Sequence, residues 1–256
     1  MMIRIWTAVV LATASSLFAA DSPKQRVEAS HTERMDFPPH GTLRLTNSVG
    51  VLTVETWSRP DVEITTIKST KTELDPADRD KGRQMLDKVR ITSERRGDEF
   101  VVATAFPYRR FPPPYPFSKD MSFYPAARDV NFDLEYHIKV PADTRIVVDH
   151  TIGQINIDGA PGDIQAKLTQ GEITLHLPQD ERYDIRASSN FGHVDNDYAG
   201  EQKRRGWALG HRVVNADPMA HRKLNLKVGF GNIVILKTRI PPEPAPLTAA
   251  SNQDHP

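Results

Sequence analysis

Thr151-Ile152-Gly153-Gln154-Ile155-Asn156-Ile157 and, eighteen residues on, Thr169-Gln170-Gly171-Glu172-Ile173-Thr174-Leu175 are two copies of one unit. Each places a small polar residue two before a glycine and aliphatic residues two and four after it. Apolar residues also stand seven and five before the glycine, Ile146 and Val148 in one copy, Ile164 and Ala166 in the other. The same frame surrounds Gly50 (Leu43, Leu45, Leu52), Gly192 (Ile185, Ala187, Val194) and Gly231 (Leu224, Leu226, Ile233). Five copies, centred on Gly50, Gly153, Gly171, Gly192 and Gly231, mean stacked or serially paired β-units.

Parity gives the unit its shape. Side chains alternate faces along a strand, so positions seven and five before the glycine share one face. Positions two and four after it also share one face, but an odd gap separates the two pairs. A straight strand would send them to opposite sides, so a bend between them is needed to turn both pairs to one core. Ser48, Thr151, Thr169, Asn190 and Gly229 stand two before the glycine, and these types suit turns. The unit therefore reads as strand, corner, strand.

The glycines of the regular region lie 18, 21 and 39 residues apart, the last close to two units. A coil of about 20 residues per turn suits a β-solenoid or β-helix-like domain, with equivalent residues stacked rung on rung. The alternative is an antiparallel β-sandwich, because strands recur every 9–10 residues. Either way the fold class is all-β. One short helix is expected near 76–88, where Asp75 can cap, Pro76 suits the first turn, and Met85, Leu86 and Val89 make an apolar stripe.

Residues 1–20 carry Arg4, an apolar run and then Ala19-Ala20 before a polar stretch, the order of a secretory signal peptide. Residues 21–39 read as an extended lead-in and 40–236 as the β-repeat domain. Two segments interrupt the domain, a Pro/aromatic excursion at 106–125 and a basic insertion at 199–222. Residues 237–256 form a Pro-rich tail without apolar residues to bury, expected to be disordered. Between 41 and 72 the alternation suggests three or four short strands. The chain has no cysteine, so it has neither disulfides nor an acylation site for a lipoprotein anchor. Basic and acidic residues balance at 33 each, and this balance argues against a nucleic-acid partner.

Taken together, 132–136 leading into Ile138-Lys139-Val140-Pro141-Ala142, then 145–148 and the units at Gly153, Gly171 and Asn190-Phe191-Gly192-His193-Val194 resemble a bacterial family of exported β-strand-repeat proteins. This is the family called putative adhesins, of DUF4097 type. The resemblance covers about 40–236. It implies export to the periplasm, cell surface or medium, a surface or adhesive role toward a protein or glycan, and no catalytic residues or cofactor.

The chemistry read from the residues is sparse. His150, His176 and His193 fall at different repeat positions, which reads as solvated scatter with no metal site. Glu55, Asp158, His176 and Asp197 all stand five after a repeat glycine, an outward polar column. If the repeats stack in sequence, Asp158 and Asp197 lie two rungs apart, and paired carboxylates on a β-helix can cleave glycosides. That gives an alternative function, a carbohydrate-active enzyme; a self-associating envelope subunit is another. The candidate partner-binding residues are Tyr108, Arg109, Arg110, Phe111, Tyr115, Phe117, Phe123 and Tyr124, types that dominate interaction hot spots. They bind a partner or cover an open sheet edge. The expected function is non-enzymatic binding at the envelope.

Overall fold

The computed structural model describes residues 23–106, 131–159, 161–198, 200–205 and 210–239. The eight candidate partner-binding residues, Tyr108 to Tyr124, lie outside the described residues, as do the expected signal peptide and nearly all of the expected tail. Among the described residues the chain is all-β, with one short helix. The strands are β1 (Glu28–Asp36), β2 (Thr42–Trp57), β3 (Asp61–Thr70), β4 (Arg90–Arg96), β5 (Glu99–Ala105), β6 (Phe132–Pro141) and β7 (Arg145–Asp158). They continue with β8 (Ile164–Pro178), β9 (Tyr183–Phe191), β10 (Val194–Asn196), β11 (Glu201–Arg205), β12 (Gly210–Asn215) and β13 (Arg222–Thr238).

The repeats are the long strands. β2, β7, β8 and β13 each run straight through their glycine and pair parallel, in the order β2-β7-β8-β13. Gly50 lies opposite Gly153, Gly153 opposite Gly171, and Gly171 opposite Gly231. A Cβ built on Gly171 would sit 1.7 Å from the carbonyl oxygen of Gly153, and the backbone there has φ +137°. No side chain fits such a column, so glycine is required at this corner of each rung.

Each rung thus has an N-terminal arm before the glycine and a C-terminal arm after it. The N-arms belong to the order β4-β5-β2-β7-β8-β13-β9-β12-β11, the C-arms to β1-β3-β6-β2-β7-β8-β13-β10. Leu43, Leu45, Ile146, Val148, Ile164 and Leu224 on N-arms share one core cluster with Leu52, Val54, Ile155, Ile173 and Ile233 on C-arms. Burying each such side chain contributes about 1.5–3 kcal/mol. The shared core is what parity demands. It also explains how parallel neighbours need so little chain between them. A parallel crossover ordinarily takes a dozen or more residues, yet 159–163 suffice from β7 to β8. Because the arms fold over one another, the end of one C-arm lies near the start of the next N-arm; Gly162 N–H donates to Thr144 O at 2.9 Å.

Parallel rungs in register are flanked on both sides by antiparallel pairs, β1-β3-β6 on one and β9-β12-β11 on the other. The two-layer packing fits the sandwich alternative, with the repeat column running through its middle. The region 41–72 holds two long strands, β2 and β3, where three or four short ones were expected; the corner at Gly50 bends β2 without breaking its ladder. Part of the expected lead-in, β1, pairs with β3 throughout its length. The described parts of the basic insertion include β11 and β12, a hairpin-like pair that extends the N-arm layer beyond β9.

A 3-10 turn (Pro76–Asp78) runs into α1 (Arg79–Asp87), close to the expected 76–88. Asp75 has the extended backbone of an N-cap but makes no capping bond; its carboxylate pairs with Lys24 at 3.3 Å. Leu86 and Val89 anchor the helix to the core. Lys68 donates from Nζ to the carbonyls of Leu86 and Val89, at 3.2 Å each, a cation placed at the negative end of the helix.

The order of rungs differs from the order of repeats. The fifth copy, β13, lies between the third (β8) and the fourth (β9 with β10). The sequence carries the reason. Asn196 stands where the other copies have an aliphatic residue, and its side chain closes a turn with Tyr198 (2.7 and 3.1 Å), ending β10 after three residues. A rung with so short a C-arm suits the edge. The fully patterned β13 takes the interior place, where its outward Val234 and Leu236 are half-buried between neighbours.

Candidate functional site

The expected carboxylate column does not survive this order. Glu55, Asp158, His176 and Leu236 follow one another in register, and Asp197 comes after Leu236. Asp158 and Asp197 are thus three strand spacings apart, about 14 Å, beyond the about 5–9.5 Å of paired glycosidase carboxylates. Each is also engaged. Asp158 Oδ1 lies 2.6 Å from His176 Nδ1, and Asp197 Oδ2 accepts from the Lys237 N–H at 3.0 Å. Other charged groups of this outer C-arm layer are paired as well, Arg34 with Asp61 and Glu63, His137 with Glu135 and His193 with Asp195, whereas Glu55 is exposed and makes no ion pair among the described residues. Among the described residues no group of three or more His, Cys, Asp or Glu is placed to hold a metal ion.

The histidines are not all solvated scatter. His150 is fully buried, three residues before its glycine, in a transverse line Ser48, His150, Leu168, Val228, Ser189, His211. The line is polar at both ends and apolar in the middle. Corners interrupt the ladder and leave glycine carbonyls to be satisfied. The His150 Nε2–H donates to Gly50 O at 3.0 Å, so Nδ1 accepts from the Ser48 hydroxyl at 2.7 Å. At the other end the Ser189 hydroxyl donates to Gly231 O at 2.7 Å, and His211 Nδ1 accepts from Val194 N–H at 2.9 Å. Burial pushes the His150 imidazolium down to about 4, so the ring is neutral at pH 7.

The opposite, N-arm face has a different character. A cleft of about 560 Å³ opens over β13, β9 and β12. The outward side chains lining it are Arg186, Ser188, Asn190, Arg212, Asn225 and Lys227. Register places Lys167 beside Lys227, Lys227 beside Ser188, and Ser188 beside Arg212, one transverse row across four strands. All three cations of this row are exposed, and among the described residues none makes an ion pair. Asp149 follows Lys167 on β7 without pairing to it, and Arg186 is held 3.7 Å from Asp184.

At the corner, outside the lining of the cleft, stand Phe191, next in sequence to Asn190, and Phe230, three residues beyond Lys227. They are paired in register, stacked with centroids 4.6 Å apart and planes 5° from parallel. Phe191 is 44% and Phe230 54% exposed, two of three large apolar side chains left open among the described residues. The floor between is closed β-sheet, since β9 is paired on both sides. Cations, amides, a hydroxyl and an aromatic platform on a rigid floor can bind.

Sequence reading missed this cleft, although signals for it exist. Phe191 and Phe230 both occupy the position immediately before a repeat glycine, and Lys167 and Lys227 both occupy the fourth before. Only the non-sequential rung order makes them neighbours.

No protein-family profile matches the chain, and no curated protein matches it. Among solved structures, the chain is similar to a "putative cell adhesion protein" from Clostridium sporogenes. The identity is 15% and the TM-score 0.43, covering 82% of this chain and 100% of that one. A "putative adhesin" from Bacteroides fragilis aligns at 10% identity and TM-score 0.29, over 81% and 97% of the two chains. Another, from Parabacteroides merdae, aligns at 10% and 0.29, over 82% and 81%. Overlaps of this size establish neither family nor function.

Proposed function

We propose that the protein is an exported, non-enzymatic β-repeat protein that binds a partner at the bacterial cell envelope, an adhesin-like role. The observation that carries this reading is the cleft beside Phe191 and Phe230: unpaired cations and an open aromatic pair on a rigid sheet. Stacks of parallel rungs supply such rigid faces, and we take the glycine column as a short solenoid-like stack closed by antiparallel strands. Export is supported by the leader-like order of residues 1–20. No helix among the described residues is long and apolar enough to cross a membrane.

The rival readings find less support. The outward carboxylates are engaged and too far apart for paired catalysis. Self-association through sheet edges is opposed by the charged sequences of three of the four terminal strands, β1, β4 and β11, a common protection against edge pairing, while the fourth, β10, is only three residues long. The test is co-sedimentation of the protein lacking residues 1–20 with a bacterial envelope preparation. Association abolished by Arg212→Ala with Lys227→Ala supports the reading; absence of association by the unaltered protein contradicts it.

A further inference from the structure

We propose, resting on the binding role above, that the cleft over β13, β9 and β12 takes an acidic glycan, a saccharide chain carrying carboxylate, sulfate or phosphate groups. Three features of the cleft converge on that chemistry. The first is charge. Lys167 and Lys227 are side by side on adjacent strands, and like charges so placed oppose the sheet they stand on. None of the three cations, Arg212 included, is held in an ion pair among the described residues; Asp149 stands in register with Lys167 on its far side without pairing to it. A bound anion would pair with them.

The second is spacing. Lys227 and Arg212 are separated by β9, so their strands are about 10 Å apart, two strand spacings. One small anion cannot span them, whereas a chain bearing charge at intervals can. The third is the company the cations keep. Ser188, Asn190 and Asn225 offer a hydroxyl and two amides to sugar hydroxyls. At the corner just outside the cleft lining, the Phe191–Phe230 stack offers an exposed aromatic surface to the apolar face of a sugar ring on a chain that extends past the cations.

Other ligands fit less well. A peptide strand has no edge to join here, because the backbone of β9 is already bonded on both sides. A balanced net charge and a single short cationic row are little to hold a nucleic acid. Two exposed phenylalanines are little to anchor a membrane surface.

The experiment is calorimetric titration of the protein lacking residues 1–20 with three acidic probes: oligogalacturonate, dextran sulfate and a phosphate-linked teichoic acid. Fully methyl-esterified oligogalacturonate, poly-L-glutamate and phosphatidylglycerol vesicles serve as comparisons. Binding of at least one acidic glycan is expected, with the neutral ester, polyglutamate and vesicles at least tenfold weaker. Lys227→Ala with Arg212→Ala should weaken the glycan at least tenfold, and so should Phe191→Ala with Phe230→Ala. The charge-conserving pair Lys227→Arg and Arg212→Lys should retain most of the binding, which separates charge from folding.

No binding of any of the three glycans would overturn the assignment, as would polyglutamate or vesicles binding as tightly as the best glycan. Binding indifferent to Lys227→Ala with Arg212→Ala would overturn it too. Envelope association by the unaltered protein alongside failure of all three glycans would reject the glycan and leave the binding role standing. Loss of both would reject both.

Discussion

The outer faces of the two arm layers treat their charges differently. On the C-arm side, Asp158 meets His176, Glu135 meets His137 and Glu63 meets Arg34, so most charged groups settle one another within the fold, Glu55 excepted. On the N-arm side Arg44 meets Glu99 at one end, but Lys167, Lys227 and Arg212 cross the other end without an ion pair among the described residues, and an aromatic pair stands open at the nearby corner. Backbone, period and core are common to both faces. What differs is the choice at outward positions, which the fold leaves free because alternate residues already fill the core. A face whose charges are internally paired has solved its solvation. A face left unpaired at some cost in stability is available for something else.

The most drastic way to break the comparison is to break the stack that carries both faces. Gly171→Ala puts a Cβ into the Gly153 carbonyl at a φ of +137°. It should cost about 4 kcal/mol or more, or prevent folding, as read by urea denaturation. Gly97→Ala, also at positive φ (+64°) but with nothing within 4 Å of its Cβ, should cost only about 1 kcal/mol. Equal effects would mean that the column is not what fixes the corner.

Acid should act through the corner, below both faces. His150 stays neutral in the folded protein down to about pH 4, whereas the unfolded chain protonates it near the ordinary histidine value of 6.5. The unfolded state therefore binds more protons between those values, and stability falls as pH falls through that window. The loss approaches about 3 kcal/mol. The urea midpoint, followed from pH 7 to pH 4, should show this slope. In His150→Leu, which matches Leu168 one rung away, the slope should flatten even though the variant starts less stable. An unchanged slope would remove His150 as its source.

Smaller effects sharpen the contrast between faces. Asp158→Asn removes the bond to His176 and should lower stability by about 0.2–1 kcal/mol. Lys227→Gln should leave stability within about 0.5 kcal/mol, or raise it slightly, because it relieves the repulsion from Lys167. Thermal melts of the two variants compare the faces directly. A clearly destabilised Lys227→Gln would show that the N-arm cations serve the fold.

Much of the scaffold was legible in the sequence because one face of a strand must be apolar. Leu43, Ile146, Ile164, Ile185 and Leu224 announced the core, and the odd interval to Leu52, Ile155, Ile173, Val194 and Ile233 announced the corner. The neighbour of each rung was not legible. Local patterns say that β13 is a rung, but its place between β8 and β9 depends on which arms end early and which outer faces need cover. The Ser48–His150 pair was hidden for the same reason, since its members are 102 residues apart and meet through a register shift near Gly50. The cleft depends on both long-range facts. Phe191 and Phe230 meet only once β13 lies against β9, and Arg212 arrives on a strand of the insertion that showed no repeat signal.

The most direct measurement compares the two faces for partner binding. The protein lacking residues 1–20, its Lys227→Ala/Arg212→Ala variant and its Asp158→Asn variant would be co-sedimented with the same envelope preparation at matched stability. A binding role for the N-arm face predicts association for the unaltered protein and for Asp158→Asn, and at least tenfold weaker association for the cleft variant. Equal association by all three, or loss confined to Asp158→Asn, would contradict it.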